Sequence, residues 1–343
     1  MSQRCEALWA SACAGPFIFS TQNATVSFMR NFWQELPRPF FALAPLANVT
    51  DAAFRRIIAK YGKPDVLWTE FVSADGLVKG NRDILLRDLA FTKEERPIVA
   101  QFFTSDPYSM EQAAALAQEL GFDGVDINMG CPDRSVEKQG AGAKLITTPN
   151  IAKELVRAAK RGAPNLPVSV KTRLGYNKDI LDEWLPKILS AEPAVLTLHA
   201  RTRKEMSKVP ARWERVARAV EIRNALGSST LIVGNGDVQN VAHAREQVRA
   251  VGADGAMLGR AIFGTPWLFS GKEAPALPER LRIAVEHSKL FEELLGDIKS
   301  FALMKKHFKA YVEGFPGAKE LRMQLMETSS AEEVEKLIEA FLV

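Results

Sequence analysis

The sequence predicts an α/β protein, a (β/α)8 barrel followed by a small all-helical domain. Eight short, apolar, β-prone runs alternate with helical patterns between residues 36 and 270. Nearly every run ends in a polar residue or a glycine, as eight strands require if their C-terminal ends meet at one mouth. After Trp267 the alternation stops, and a proline-containing connector, GKEAPALP (271–278), leads into helical patterns alone. A doubly wound sheet is the other architecture open to this alternation, but it gives no reason for all the strand ends to be polar.

FFALAPLA (40–47) reads as the first strand, and Thr50 or Asp51 caps a helix through AAFRRIIAKYG that ends at Gly62. VLWTEFVS (66–73) is the second strand and PIVAQFF (97–103) the third. DPYSMEQAAALAQELG (106–121) is an amphipathic helix with an N-terminal acid, and it leads into a fourth strand from Gly124 to Met129. PVSVKTR (167–173), AVLTLHA (194–200), TLIVGNG (230–236) and GAMLGR (255–260) supply strands five to eight. Helical segments near 149–161, 180–190, 211–226 and 240–250 separate them. Residues 278–343 read as helices only, the last with a capped start at Ser329 or Ser330. Residues 1–35 are expected to be a poorly ordered extension, because polar Gln22, Asn23 and Ser27 break up any signal-like apolar run. A transit-like leader and an upstream start, with Met29 as the functional one, are the other readings of this stretch.

With 343 residues, 47% of them hydrophobic and 25% charged, the chain is long and apolar enough to bury a barrel-sized core. A net charge of +4 permits a polyanionic partner without demanding one. Cys5, Cys13 and Cys131 make no CxxC pair and no disulfide framework, which points to a reducing compartment, the cytoplasm. His199, His243, His287 and His307 lack metal-ligand spacing, so no metal is predicted, and no segment reaches the length of a membrane span.

The most informative stretch is GFDGVDINMGCPDRSVEKQGAGAKL (121–145). A buried strand here delivers Asn128 and Cys131 to its C-terminal end, and Gly140 and Gly142 in the following loop are expected to let backbone approach a ligand. A cysteine in a generic barrel is more often a buried inert thiol than a reactive one. The other strand ends contribute Ala44, Pro45 and Leu46; Gln101; Lys171 and Arg173; His199 and Arg201; Asn235, Gly236 and Asp237; and Gly259 and Arg260. Amides, a lysine and a histidine around an apolar mouth suit a flat heterocycle with polar edges. Glycines on the last two strands, with Arg260, suit a phosphate. Together they predict a phosphorylated ring cofactor.

APLANVTDAAFR, DINMGCP, VKTRLG, LHARTR, GNGD and GADGAMLGR, in this order and spacing, resemble the tRNA-dihydrouridine synthase family, flavoenzymes that reduce uridine in tRNA. The resemblance covers about residues 38–343, including YVEGFPGAKELR in the tail; DINMGCP is specific, whereas GNGD alone is weak. It implies FMN held noncovalently at the barrel mouth. Ala44, Pro45 and Leu46 would then pack along the ring, Gln101 would bond its pyrimidine edge, and Lys171 would stabilise the anionic reduced ring. Asn128 would orient flavin and substrate, His199 would contact the flavin, and Asn235, Gly236, Gly259 and Arg260 would hold its phosphate. Asp237 is expected to orient that loop rather than touch a second anion. Hydride would pass to C6 of uracil and Cys131 would protonate C5, a role that suits a thiol still protonated at neutral pH.

A tRNA substrate implies a positive surface and a pocket for an extruded base. Candidates for phosphate contact are Arg134, Lys138 and Lys144 after Cys131, Arg173, and Lys299, Lys305, Lys306 and Lys309 in the helical domain, where a solvated helix face is the other reading. Arg201 and Arg203 enter a polar loop that either contacts RNA or is merely solvated. The resemblance implies NADPH as reductant, sharing the flavin face with uracil in turn, and the chain is expected to act as a monomer. The first motif departs from the family's APMAGVTD at Leu46 and Asn48, of which asparagine tolerates a left-handed backbone. The rivals are an FMN barrel oxidoreductase acting on a free pyrimidine or other small molecule, and a non-catalytic tRNA-binding protein.

Overall fold

The computed structural model describes residues 31–80 and 82–343, so the expectations for residues 1–30, Cys5, Cys13 and Met29 among them, lie outside the described residues; the last residues of the extension expected to be poorly ordered through 35 instead form a short helix, Phe32–Gln34, whose Trp33 is buried. Eight parallel strands, β1 (Phe40–Leu43), β2 (Leu67–Ser73), β3 (Ile98–Phe103), β4 (Gly124–Met129), β5 (Val168–Arg173), β6 (Val195–His199), β7 (Leu231–Asn235) and β8 (Gly255–Leu258), pair in the order β1-β8-β7-β6-β5-β4-β3-β2. The ring closes where the Asp65 N–H donates to the Phe41 carbonyl at 2.9 Å and the Leu43 N–H to the Val66 carbonyl at 3.3 Å. This is the predicted (β/α)8 barrel, with helices continuing to the C-terminal end.

Strand side chains alternate between two environments, because successive residues of a strand face opposite sides of the sheet. Phe41, Leu43, Leu67, Ile98, Ala100, Val125, Ile127, Val170, Leu196 and Ile232 pack outward into the apolar layer under the helices. Phe40, Ala42, Trp68, Val99, Val195, Val233 and Met257 point inward, and Trp33 from the short helix Phe32–Gln34 plugs the bottom, its ring 5.7 Å from that of Trp68. The inward parity continues upward to Glu70, Gln101, Asp126, Asn128, Lys171, His199 and Asn235. The mouth is thereby lined with polar groups while the floor stays apolar.

Local signals agree with the predicted elements. Asp51, rather than Thr50, caps the first barrel helix, accepting the Phe54 N–H at 3.0 Å. Ser330 caps the last helix, Ala331–Leu342, while Glu333 reaches back to the Ser329 N–H at 2.7 Å. β1 is shorter than predicted: the chain leaves the ladder after Leu43 into a turn in which Asn48 takes φ +56°. Several short helices escape the sequence reading, among them Ala74–Lys79 and Arg82–Asp88 between β2 and β3, and Arg134–Lys138 and Gly142–Thr147 after β4. They are too short and polar for a periodic apolar stripe, and tertiary contacts stabilise them.

The C-terminal helices Leu277–Leu295, Lys305–Tyr311, Ala318–Leu325 and Ala331–Leu342 share one apolar core with the barrel's outer layer. Polar contacts seat them as well: Glu286 accepts from Lys60 and Tyr61, Asp297 from Arg87, and Lys299 bridges Glu70 and Asp88. Among the described residues no helix is long and apolar enough to cross a membrane, and no cluster of three or more His, Cys, Asp or Glu side chains is arranged to hold a metal ion.

Candidate active site

A cavity of about 1480 Å³ opens at the C-terminal ends of the strands. Its wall brings together Ala44, Pro45, Leu46, Gln101, Asn128, Cys131, Lys171, Arg173, His199, Arg201, Asn235, Gly236, Asp237, Gly259 and Arg260, with Arg134 at the rim. Lys138, Lys144 and the lysines of residues 299–309 are not part of this wall.

One wall is a directed hydrogen-bond chain. Ionised Asp126 can only accept; it takes the Ser169 hydroxyl at 2.5 Å and Nε2 of Gln101 at 2.6 Å. Gln101 must therefore offer Oε1 to Nδ2 of Asn128, 3.0 Å away. Asn128 in turn directs Oδ1 at the N–H groups of Gly130 (3.1 Å) and Cys131 (2.9 Å). The Cys131 carbonyl accepts the Ala143 N–H at 2.9 Å, which braces the loop from its far side. Gly142 is needed there: at φ +61° a Cβ would lie 2.7 Å from the Cys131 oxygen. Gly140 likewise, at φ +75°, sits beside the Ser105 side chain, so both glycines serve the loop's own packing.

Burial pushes the half-buried Cys131 thiol above its ordinary value, and the charge of Asp133 adds to this, against the Asp133 backbone hydrogen bond and the pull of Arg173 and Lys171. It is protonated at neutral pH. Burial, aided by Arg173, lowers the Lys171 ammonium to about 8, and Nζ donates a long 3.4 Å hydrogen bond to Oδ1 of Asn235. Burial and the cations Arg173, Lys171 and Arg201 hold His199 well below its usual range, hence neutral. Nη1 of Arg201 lies 3.4 Å from Nε2 of His199; because arginine only donates, Nε2 accepts and the ring proton sits on Nδ1.

Several predicted surface cations are turned inward. Arg173, 9% exposed, donates Nε to the Gly130 carbonyl at 2.6 Å and Nη1 to the Thr202 carbonyl at 3.3 Å, so it braces the cysteine loop instead of reaching for phosphate. Arg201, 2% exposed, bonds the Val209 carbonyl at 2.6 Å and pairs with Asp237, so it is held at the cavity wall rather than on a solvated loop. Arg203 pairs with Glu137 and covers the Tyr176 ring, over which Nζ of Lys144 also lies at 5.2 Å. Lys299 is 15% exposed between Glu70 (2.8 Å) and Asp88 (2.7 Å), so its charge is neutralised within the protein and cannot form part of a basic RNA surface. Arg134, Lys138, Lys306 and Lys309 are exposed, and Lys305 is half-buried.

At the ends of β7 and β8, Asp237 takes φ +54° and accepts from Arg201, from Arg260 at 2.9 Å and from the Ala211 N–H at 2.9 Å. Gly236 beside it, at φ +130°, has no room for a Cβ, which would lie 2.7 Å from that of Ala211. Sequence reasoning missed Asp126 and Glu70 as parts of this mouth, although period-two alternation puts them on the inward face with Asn128 and Trp68. Met206 and Ser207, also on the wall, carried no such signal because they sit on an irregular loop.

Residues 42–343 match the dihydrouridine synthase (Dus) family. The chain is 41% identical over 315 residues to a probable tRNA-dihydrouridine synthase 2 of Bacillus subtilis (strain 168), covering 91% of this chain and 96% of that protein. It is 40% identical over 316 residues to a probable tRNA-dihydrouridine synthase of Staphylococcus aureus (strain MRSA252), covering 91% and 95%. Among solved structures, a 2-naphthoyl-CoA reductase in complex with 2-naphthoyl-CoA superposes with TM-score 0.51 at 12% identity, over 67% of this chain and 49% of the other. Histamine dehydrogenase from Rhizobium sp. 4-9 does so with TM-score 0.51 at 14% identity, over 75% and 48%. At these identities the structural likeness is one of barrel fold.

Proposed function

The chain belongs to the dihydrouridine synthase family, and on that premise we propose that it is a tRNA-dihydrouridine synthase that reduces the C5=C6 bond of a uridine in tRNA, with FMN at the barrel mouth, NADPH as reductant and Cys131 as proton donor. The observation that carries this reading is the convergence of Lys171, neutral His199 and the Asn128-anchored Cys131 loop on one cavity. The residues present fit the cofactor. Lys171 is a cation at the cavity wall that donates to an amide oxygen at 3.4 Å, which leaves its charge available to an anionic ring. Ala44, Pro45 and Leu46 offer an apolar bed, Gln101 and Asn128 fixed polar edges, and Arg260 with the Gly236 and Gly259 backbone a phosphate seat. Bound there, FMN supplies two electrons as hydride and NADPH restores them.

The chain's own part is orientation and the proton. The protonated thiol of Cys131 stands ready to deliver a proton to C5 as negative charge develops there, and Lys171 and Arg173 stabilise the thiolate left behind. Exposed Arg134 and Lys138 beside the mouth, with Lys306 and Lys309 on the helical part, are the proposed phosphate contacts, with an extruded uridine entering the cavity.

The test is anaerobic. Protein reduced with NADPH and freed of excess reductant is mixed with tRNA lacking dihydrouridine, and flavin reoxidation is followed beside Cys131→Ala. Prompt reoxidation with dihydrouridine formed is expected in the parent protein. In the variant a slowing of about 10²–10⁴-fold with flavin content unchanged is expected, the usual contribution of a general acid. Flavin that free uracil reoxidises and tRNA does not would overturn the tRNA assignment.

A further inference from the structure

We propose that Lys299, on the connector between C-terminal helices, is a positioning residue for the cofactor: through Glu70 it holds the turn after β1 in the shape against which the flavin ring lies, and so couples the seating of the helical part to cofactor binding. This rests on the reading of the barrel mouth as a flavin site.

Glu70 stands at the middle of β2 on its inward face, 6% exposed, and its two oxygens have separate tasks. Oε1 accepts the backbone N–H of Asn48, the left-handed residue (φ +56°) on which the turn pivots. Oε2 meets Nζ of Lys299 at 2.8 Å. Within the turn, Thr50 Oγ1 accepts the Leu46 N–H at 2.9 Å, and the Leu46 carbonyl accepts the N–H groups of Val49 and Thr50 at 3.0 Å; its two ends are held by the Leu258 carbonyl, which accepts the Ala44 N–H at 2.7 Å, and by Arg55, which donates to the Thr50 carbonyl at 3.1 Å, so Glu70 is the tie at its middle. Residues 44–47 of the same turn line the cavity. Asp51, 3% exposed, and Asp88 add negative charge, and among the described residues Lys299 is the cation paired with Glu70. Without it Glu70 would be a buried, uncompensated carboxylate, which must either take up a proton or move toward water. Either change weakens its charge-assisted bond to Asn48.

Lys299 reaches this place because its connector is docked. Two residues earlier, Asp297 accepts from both terminal nitrogens of Arg87, at 2.6 and 2.8 Å, which pins the connector to the Arg82–Asp88 helix without touching Glu70. Arg87 is therefore the natural control for mere interdomain adhesion.

The experiment measures FMN affinity of apoprotein by fluorescence quenching, amide exchange at residues 46–50 of apoprotein, and thermal stability, for Lys299→Met, Lys299→Arg, Arg87→Ala and the double variant Lys299→Met/Glu70→Gln. Lys299→Met should weaken FMN binding and speed Asn48 exchange by about tenfold or more, as expected when a buried charge-assisted bond is removed. Lys299→Arg should restore most of both. Arg87→Ala should lower stability yet leave both within about twofold, since its partner is surface-exposed. In the double variant the neutral glutamine that replaces Glu70 still accepts from Asn48, so the loss should shrink to about threefold or less. Equal stability losses in Lys299→Met and Arg87→Ala, with FMN affinity and Asn48 exchange unchanged, would reduce Lys299 to adhesion and overturn the proposal. A parent protein that binds no FMN would defeat the site reading instead, while the exchange data would still decide whether Lys299 governs the turn.

Discussion

Asp126 is placed at a cost. Burial pushes its carboxyl up to about 6, against the opposing hydrogen bonds from Ser169 and Gln101 and the charge of Lys171. A folded value above the unfolded one means that its contribution to stability is full below about pH 4 and is lost as pH rises through 6. Asp126→Asn should therefore stabilise the fold at pH 8 by on the order of 1–3 kcal/mol, read as a higher melting temperature, and change little at pH 4. The gain should come with a functional loss, because asparagine both donates and accepts and no longer dictates which way Gln101 and Asn128 face. Iodoacetamide alkylation of Cys131 in apoprotein reads that orientation directly. The parent thiol should alkylate at higher pH than a free thiol, and the variant faster at every pH; identical profiles would leave Asp126 without influence on the cysteine loop.

Among elements, the Lys305–Tyr311 helix divides its charges by depth. His307, Phe308 and Tyr311 are buried while Lys306 and Lys309 are exposed, and among the described residues neither lysine is paired with an acid. Replacing both with alanine should weaken tRNA binding and reduce its log–log salt slope by about one unit for each phosphate no longer neutralised, with flavin content unchanged. Filter binding across a salt series checks this; an unchanged slope would move the RNA surface elsewhere. Lys299, only a short connector away, belongs to the opposite class. Its removal should act on flavin and not on the salt slope.

For the molecule as a whole, the join between barrel and helical part contains an unusual aromatic cluster. The Phe54 ring stacks on His287 at 4.8 Å and meets His307 edge-on at 4.5 Å, and Nε2 of His287 and Nδ1 of His307 are buried without a hydrogen-bond partner. Burial drives His307 down to about 3, helped by Lys306, and holds His287 well below its usual range, helped by His307. Both imidazoles are neutral when folded and take up protons when unfolded below about pH 6.5, so the stability they confer is present above that value and declines as pH falls toward 3, by up to about 1.4 kcal/mol per pH unit for each. His307→Leu should flatten the fall in melting temperature between about pH 6.5 and 4.5; an unaltered slope would place the acid sensitivity elsewhere. The sequence by itself determined the barrel, since alternation of apolar runs with helices is local, and it determined the cavity wall, since period-two alternation carries Gln101, Asn128, Lys171 and His199 inward together. It also carried the DINMGCP signal that marked Cys131. Only the tertiary structure decided what each charge does. Lys299 meets Glu70 across 229 positions of sequence and Arg201 meets Asp237 across 36, so a lysine or arginine that looks free in the sequence is claimed by a carboxylate that folding brings to it. The fate of a charge depends on its partner and its depth, and neither is a local property of the chain.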